Sequence, residues 1–320
     1  MECVRILTLC LDGDGTGEGA DDVAMTGPER VPGGPAAPGG ELVGLPSGVE
    51  LAVTRSGGRP AAFVLVHGLS SNRRLWTGVT GELERRGHAS IAVDLRCHGE
   101  SPCPPGLEGI AVNVADLAGL VEAEGLDRPI VVGQSWGGNI VVQLAADHPG
   151  LVGGVACVDG GTIQLADRFP SWEACAAALA PPVFDGLTAG AARAMLRSYH
   201  PDWDDWAIDA TLANFRVDAD GNAAPRLSRE RHMEILRDLW EHRPTDAYPR
   251  LRVGLLLLLA VSPGGVPHDR AEIADRAARA GAGSSVDWFE PADHDLHAQQ
   301  PRAVAEAILR RVDAGFFAAP

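Results

Sequence analysis

A serine flanked by glycines is the residue with the clearest chemical meaning in this chain. Residues 133–138 read GQSWGG and place Ser135 in the pattern Gly-x-Ser-x-Gly. An apolar run precedes the pattern and a helical stretch follows it, which is the context of a nucleophile on a sharp strand-to-helix turn. The N–H groups that begin such a helix face a developing oxyanion. Ser135 is therefore predicted to be a nucleophile, and a glycine-rich packing loop is the alternative.

Short apolar runs alternate with helical stretches on both sides of Ser135. Runs without polar alternation are typical of strands that are buried on both faces, and their alternation with helices predicts a doubly wound, mostly parallel α/β sheet. The predicted strands are Ala61–Val66, Ala89–Val93, Pro129–Gly133, Leu151–Val158, Val253–Ala260 and Ser285–Phe289. The predicted helices of this part are Arg73–Arg86, Val112–Glu124, Asn139–Asp147, Arg270–Ala280 and Arg302–Val312.

The alternation stops between residues 161 and 245, where no strand of comparable strength is predicted. We expect this helical block to cap the sheet edge at which strands end and ligands bind. Residues 1–40 are rich in Gly, Pro and acids and are predicted to form a disordered tail. The predicted core then comprises residues 41–160 and 246–320. The predicted helices of the cap are Ser171–Leu179, Ala189–Tyr199 and Arg229–Trp240.

Composition and charge narrow the possible partners. Apolar residues make up 45% of the chain and charged residues 22%, which is ordinary for a globular protein. The 43 acidic residues exceed the 27 basic residues and give a formal net charge of −16. Because a surface this negative repels phosphate backbones and anionic lipid, we expect neither nucleic acid nor a membrane as a partner. The sequence leaves the oligomeric state open.

The cysteines favour a reducing compartment. None forms a CxxC pair or a metal-ligand pattern with histidine, so they are interpreted as free thiols, with a Cys97–Cys103 bridge as the alternative. The N-terminus lacks a signal-peptide cleavage site, and the apolar run Val253–Val261 is too short to cross a bilayer. We therefore expect a cytoplasmic protein. The six cysteines are Cys3, Cys10, Cys97, Cys103, Cys157 and Cys175.

Four motifs in order make residues 41–320 resemble the α/β-hydrolase superfamily, in its capped, esterase- or lipase-like form. Leu65–Leu69 (LVHGL) resembles the family's His-Gly oxyanion loop, and Gly133–Gly137 resembles its nucleophile elbow. Asp94–Ser101 (DLRCHGES) resembles the segment D-x-R-G-H-G-x-S, with Cys97 in place of the usual glycine. Asp293–Pro301 (DHDLHAQQP) resembles the ending that carries the catalytic histidine.

This resemblance implies roles for a histidine and for two backbone N–H groups. His294 would be the general base for Ser135, and His297 is its rival on a different position of the ending. The backbone N–H groups of Leu69 and Trp136 would form the oxyanion hole. The other histidines of the motifs are expected to be structural, His67 bracing the oxyanion loop and His98 holding a turn. Asp94 and Arg96 are expected to brace a loop.

The acid that would orient His294 is the open point. The family usually places it near positions 262 and 263, where this chain has serine and proline. Asp159 follows the strand after the elbow, where some α/β-hydrolases keep their acid, and Asp269 lies several residues after the usual place. Either would preserve the order Ser, acid, His. We favour Asp159, with Asp269 or no acid as alternatives.

These expectations combine into a serine hydrolase that cleaves a small apolar ester, thioester or lactone. A C–C hydrolase or lyase on the same fold, or a non-catalytic ligand-binding homologue, is the alternative. The substrate is expected to be a small molecule. No phosphate loop, dinucleotide fingerprint or metal-spaced histidine cluster occurs, so no cofactor and no metal is predicted. Aromatic candidates for an apolar pocket, or for the core of the cap, are Phe169, Trp172, Phe184, Trp203, Trp206 and Phe215.

Overall fold

An eight-stranded, mostly parallel sheet is the centre of the computed structural model, which describes residues 40–58, 62–106, 108–261, 268–279 and 283–317. The strands are β1 (Glu41–Gly44), β2 (Glu50–Ser56), β3 (Phe63–Val66), β4 (Ser90–Val93), β5 (Ile130–Gln134), β6 (Gly154–Val158), β9 (Leu255–Ala260) and β10 (Ser284–Phe289). Their order in the sheet is β1-β2-β4-β3-β5-β6-β9-β10. Among the described residues of this sheet, the β1–β2 and β2–β4 pairs are antiparallel and the other pairs are parallel.

Apolar side chains cover both faces of this sheet, and helices pack on each face. Along β3, Val64 belongs to one buried cluster, together with helices α2 and α3, while Phe63 and Leu65 belong to the other, together with α1 and α11. The prediction of a doubly wound α/β fold is confirmed. These helices and their neighbours are α1 (Thr77–Arg85), α2 (Ile110–Ala123), α3 (Trp136–Asp147), α9 (His268–Arg279), α10 (Leu296–Gln299) and α11 (Pro301–Asp313).

The chain between β6 and β9 is mainly helical but also contains a small hairpin. Strands β7 (Phe215–Val217) and β8 (Ala223–Pro225) pair antiparallel, a short pairing that the sequence did not indicate. Three residues are too few to show a periodic pattern in the sequence. The helices of this segment are α4 (Leu165–Arg168), α5 (Trp172–Leu179), α6 (Ala189–Tyr199), α7 (Asp205–Leu212) and α8 (Arg229–Glu241). Within the described residues, no helix combines the length and apolar character needed to cross a bilayer.

Buried ion pairs hold the loop after β4. Asp94 accepts the backbone N–H of Arg73 at 2.7 Å and pairs with its guanidinium. Arg96 binds both carboxylate oxygens of Asp116 at 2.6 Å. Asp94 and Arg96 thus brace this loop as expected, each through a different partner.

A disulfide joins Cys97 to Cys103 in the same loop, so the interpretation of these two residues as free thiols is wrong. Cys97 has a left-handed backbone (φ 63°). Glycine adopts this conformation most easily, which explains why the family pattern D-x-R-G-H-G-x-S has glycine at this position. Cys157 and Cys175 are free and buried, and Cys3 and Cys10 lie outside the described residues. Because disulfides are rare in reducing compartments, the cysteines no longer support a cytoplasmic location.

Gly137 allows helix α3 to approach the end of β3 without a clash. A Cβ atom at this second helical residue would lie 2.4 Å from the His67 carbonyl oxygen, which is backbone and cannot swing away.

We expect Gly137→Ala to lower the free energy of unfolding by about 1–3 kcal/mol, measured by urea denaturation. Gly190 is also the second residue of its helix and has open space around it. Gly190→Ala should therefore leave stability unchanged or raise it by up to about 1 kcal/mol, and equal losses in both variants would contradict this explanation.

Candidate active site

Ser135 lies on a sharp turn between the central strand β5 and helix α3. Its backbone is in the left-handed region (φ 52°, ψ −122°), a costly conformation for a residue with a side chain that is found mainly at functional sites. The neighbouring chain is held closely, since the Ser135 N–H donates to the Val158 carbonyl at 3.1 Å and its carbonyl accepts from Gly138 at 2.9 Å. The turn therefore presents the hydroxyl at the carboxyl edge of the sheet.

His294 joins this serine to a carboxylate. The Ser135 Oγ lies 2.9 Å from His294 Nε2, and His294 Nδ1 lies 2.5 Å from an oxygen of Asp159. All three residues are at least nine-tenths buried. In this geometry the Ser135 hydroxyl donates to Nε2 while the Nδ1–H donates to Asp159. The structure thus brings together three residues that are separated by up to 159 positions in the chain.

Strand order explains how Asp159 reaches His294. Asp159 directly follows β6, whose neighbour in the sheet is β9, and its N–H donates to the Leu258 carbonyl at 2.7 Å. Its backbone is also left-handed (φ 46°). One carboxylate oxygen accepts from the Ala260 N–H at 2.9 Å and pairs with the buried guanidinium of Arg270, while the other faces His294. Both oxygens of Asp159 therefore accept hydrogen bonds.

The charges of this group favour an ionised acid beside a basic imidazole. Burial opposes the charge on Asp159, but Arg270 and the His294 hydrogen bond outweigh it and hold the pKa of this carboxyl below its ordinary value. Burial likewise opposes a charge on His294, yet the hydrogen bond and the charge of Asp159 raise the pKa of the imidazole above 6.5. A raised pKa makes His294 a stronger proton acceptor for the Ser135 hydroxyl.

The backbone of the loop after β3 lies beside Ser135. A Cβ atom at Gly68 would be 3.0 Å from the Ser135 Cβ, so glycine permits this close approach. The next residue, Leu69, lines the same cavity as Ser135, and Trp136 is the first residue of α3. The Trp136 side chain is buried in the core. The two predicted oxyanion donors thus flank the serine on its loop and helix sides.

The other histidines of the motifs have structural contacts. His67 donates to the Gly68 carbonyl at 2.7 Å and accepts the Leu95 N–H at 3.0 Å; burial lowers its pKa to about 4. His297 packs against Trp76 with ring centroids 4.5 Å apart, and burial lowers its pKa to about 4 as well. Neither of its ring nitrogens has a hydrogen-bond partner among the described residues, so its surroundings do not prepare it to act as a base.

A cavity of about 190 Å³ opens onto Ser135 and His294. Of the aromatic candidates, Phe184 and Phe215 line it. Trp203 belongs instead to a buried cluster of helices α6 and α7, with Trp206 packed against it. Phe169 and Trp172 pack against the main core. Apolar side chains dominate the wall, among them Leu69, Leu75, Leu179, Leu196 and Leu227.

Two polar residues near the three buried groups were not singled out from the sequence. Gln134 donates to the His294 carbonyl at 3.3 Å and to Asp295 at 3.2 Å, which ties the His294 loop to the turn at Ser135. Arg270 pairs with Asp159. The position of Gln134 inside the Gly-x-Ser-x-Gly pattern could have indicated from the sequence that it lies near the site. No sequence pattern indicated Arg270, because its contact with Asp159 depends on the order of strands in the sheet.

Asp269 is the alternative acid. Its backbone lies in the first turn of helix α9, and its side chain is outside the described residues. Positions 262 and 263, where the family usually has its acid, are outside them too.

The mostly parallel sheet and its flanking helices have the α/β-hydrolase fold. A sequence model described as the alpha/beta hydrolase family matches residues 63–307, and the chain belongs to this family. Esterase Rv0045c of Mycobacterium tuberculosis is 26% identical over 316 residues, which cover 92% of this chain and 97% of that protein. The uncharacterized protein Rv2715 of the same organism is 32% identical over 109 residues, covering 34% of this chain and 32% of its own length. The chain thus matches about a third of the length of such relatives.

Solved structures share the fold. E-2-(acetamidomethylene)succinate hydrolase superimposes with a TM-score of 0.72 at 24% identity, covering 86% of this chain and 98% of that one. The Mycobacterium tuberculosis esterase Rv0045c superimposes with a TM-score of 0.63 at 24% identity, covering 87% of this chain and 93% of that one. At these identities the likeness concerns the fold alone.

Proposed function

We propose that this protein is a carboxylesterase-like serine hydrolase, which cleaves a small apolar ester, thioester or lactone. The single observation that carries the proposal is the chain of contacts from Ser135 through His294 to Asp159, at 2.9 and 2.5 Å. A hydroxyl, a basic imidazole and an ionised carboxylate in this order form the arrangement that activates serine for acyl transfer. The esterase relative that matches along 92% of this chain is consistent with it.

The reaction proceeds in two halves. The Ser135 oxygen attacks the carbonyl carbon while its proton passes to His294 Nε2, and the N–H groups of Leu69 and Trp136 bind the resulting oxyanion. When the intermediate collapses, the bond to the leaving group breaks and His294 returns the proton to that group. Water then attacks the acyl-enzyme by the same route and releases the acid. Asp159 keeps the proton of His294 on Nδ1 throughout, so that Nε2 can accept.

The segment between β6 and β9 acts as a cap in this proposal. It supplies Phe184, Leu196, Phe215 and Leu227 to the wall of the cavity, whereas Ser135 and His294 come from the sheet edge. An apolar wall opposite the reacting groups suits an ester with apolar character, because such a substrate buries its hydrocarbon part there.

A covalent probe tests the proposal directly. We expect the purified protein to hydrolyse a short p-nitrophenyl ester and to react with a fluorophosphonate, gaining one phosphonyl group at Ser135 by mass spectrometry of its peptides. A non-catalytic ligand-binding protein would show neither. If the protein stayed unlabelled and inactive while folded, the hydrolase proposal would be wrong.

The pH dependence follows from the environment of His294. The neutral imidazole is the base, so kcat/KM should rise with pH through the pKa of His294, which lies above 6.5 because of Asp159. In Asp159→Asn this cause is removed and burial, which lowers the pKa, remains. The midpoint of the acidic limb should then move to lower pH. Measured profiles of kcat/KM for both proteins check this, and a midpoint that stayed in place would show that Asp159 does not act on His294.

A further inference from the structure

The cavity next to Ser135 contains more positive than negative charge, unlike the chain as a whole. Two arginines, Arg226 and Arg229, line it together with a single carboxylate, Asp295, although the chain carries a formal net charge of −16. Its remaining ionisable groups are histidines. Burial lowers the pKa of His98 to about 3 and that of His232 to about 4, so these two stay uncharged near neutral pH. The cavity therefore offers an anion a local attraction that the rest of the surface opposes.

Arg226 and Asn214 stand side by side at one wall of this cavity. The Arg226 N–H donates to the Asn214 carbonyl at 2.8 Å, which continues the β7–β8 hairpin by one pair beyond Phe215 and Pro225. The Arg226 Nε donates to the Ala213 carbonyl at 2.9 Å. This anchor fixes the guanidinium and leaves its two terminal nitrogens as donors. Among the described residues, no ion pair with a carboxylate involves Arg226.

The NH₂ group of Asn214 likewise has no acceptor among the described residues. The Asn214 Oδ1 accepts from Asn72 at 2.6 Å, and the same Asn72 amide donates to the Ala210 carbonyl at 2.8 Å. Because the Asn214 oxygen is thus engaged, its NH₂ group is the part left for the cavity. A half-buried guanidinium beside an amide NH₂ matches the two oxygens of a carboxylate, which accept hydrogen bonds and carry the complementary charge.

We propose that Arg226 and Asn214 form a carboxylate-binding subsite, so that the ester cleaved at Ser135 carries a free carboxylate group on its acyl chain. This inference rests on the proposed serine hydrolysis and revises its substrate class from a wholly apolar ester to an ester whose apolar acyl chain ends in a carboxylate. The carboxylate binds at the wall contributed by the segment between β6 and β9. Asp295, the carboxylate among the lining residues, follows His294 in the chain and accepts a hydrogen bond from Gln134 at 3.2 Å. Apolar side chains of the cavity contact the methylene chain between the carboxylate and the scissile carbonyl.

Two esters of equal acyl length test the subsite. Mono-p-nitrophenyl adipate carries a terminal carboxylate, and p-nitrophenyl hexanoate does not. Because Arg226→Gln removes charged hydrogen-bond donors to the carboxylate, we expect the adipate-to-hexanoate ratio of kcat/KM to fall about 10–100-fold in this variant. Arg216→Gln is the matched control, because Arg216 is an exposed arginine of the same hairpin that does not line the cavity; it should keep the wild-type ratio.

A second variant guards against the possibility that Arg226→Gln fails to fold. A binding measurement tests the subsite without any turnover of the ester. Asn214→Asp retains the oxygen that accepts from Asn72 but replaces the free donor with a negative charge, so it should lower the same ratio by at least about tenfold. The binding of monomethyl adipate is measured by calorimetry in the Ser135→Ala variant. In the double variant that also carries Arg226→Gln, this binding should be about 10–100-fold weaker.

The outcomes separate the two proposals. Hydrolysis of both esters with an unchanged ratio in Arg226→Gln and Asn214→Asp would overturn the subsite and leave the hydrolase intact. Binding of monomethyl adipate that depends on Arg226, without hydrolysis of either ester, would support the subsite and overturn the hydrolase. Absence of binding to Ser135→Ala would overturn the subsite whether or not esters are cleaved.

Discussion

Replacing Ser135 with alanine should lower kcat for a short p-nitrophenyl ester by about 10⁶-fold, the size of loss expected when the nucleophile of a serine triad is removed. The hydroxyl that would attack the carbonyl is absent in this variant, and His294 has no proton to accept from it. Substrate binding should persist, since the walls of the cavity are unchanged. Initial rates at saturating ester, with the uncatalysed rate subtracted, measure the effect.

Ser198→Ala is the control for this experiment. Ser198 is an exposed serine of helix α6 whose hydroxyl donates to the Met195 carbonyl at 2.7 Å, and its removal should leave kcat unchanged. Thermal unfolding of Ser135→Ala should match that of the wild type, because no core contact is lost. Hydrolysis by Ser135→Ala at the wild-type rate would mean that another group attacks the ester.

Replacing Asp159 with asparagine should lower kcat by about 10²–10⁴-fold. An asparagine NH₂ facing His294 cannot accept the Nδ1–H, so the imidazole turns to the tautomer whose Nε2 carries the proton. In that tautomer Nε2 no longer accepts the proton of Ser135. KM should change less than kcat, since Asp159 is fully buried behind the imidazole and makes no contact with substrate.

Asp269→Asn is the comparison that identifies the acid, and it should change kcat little. A large loss in Asp269→Asn with activity retained in Asp159→Asn would move the role to Asp269. Stability is measured in parallel, because Asp159→Asn also deprives the buried Arg270 guanidinium of its carboxylate. Removing one partner of such a pair costs about 3–5 kcal/mol, so rates are compared only where circular dichroism shows both proteins folded.

The predicted strands of the core agree well with the observed ones because their residues are buried on both faces. Phe63–Val66 lies inside the predicted run 61–66, and Leu255–Ala260 lies inside 253–260. Every residue of these two strands is buried. Continuous apolar sequence is the direct consequence of such an environment, and it can be read without knowledge of neighbouring strands.

Strands β1 and β7 were not predicted, because their residues are mostly exposed. Strand β1 has one buried residue of four, and β7 has none that is fully buried. Half-exposed strands tolerate mixed sequence, and a three-residue strand is shorter than any period that would reveal it. The hairpin that carries Arg226 into the cavity wall is therefore visible only in the folded chain.

The family, the doubly wound sheet and the location of Ser135 and His294 at the ends of strands could be inferred from the residues alone, because apolar runs and short motifs are local properties. Which carboxylate meets His294 and which cations line the cavity depend on contacts between distant parts of the chain. Asp159 reaches His294 because β6 lies next to β9, and Arg226 joins the same cavity as Ser135 through chain segments about 90 residues apart. Such contacts depend on the order of strands and the packing of the inserted segment, and local spacing does not encode them.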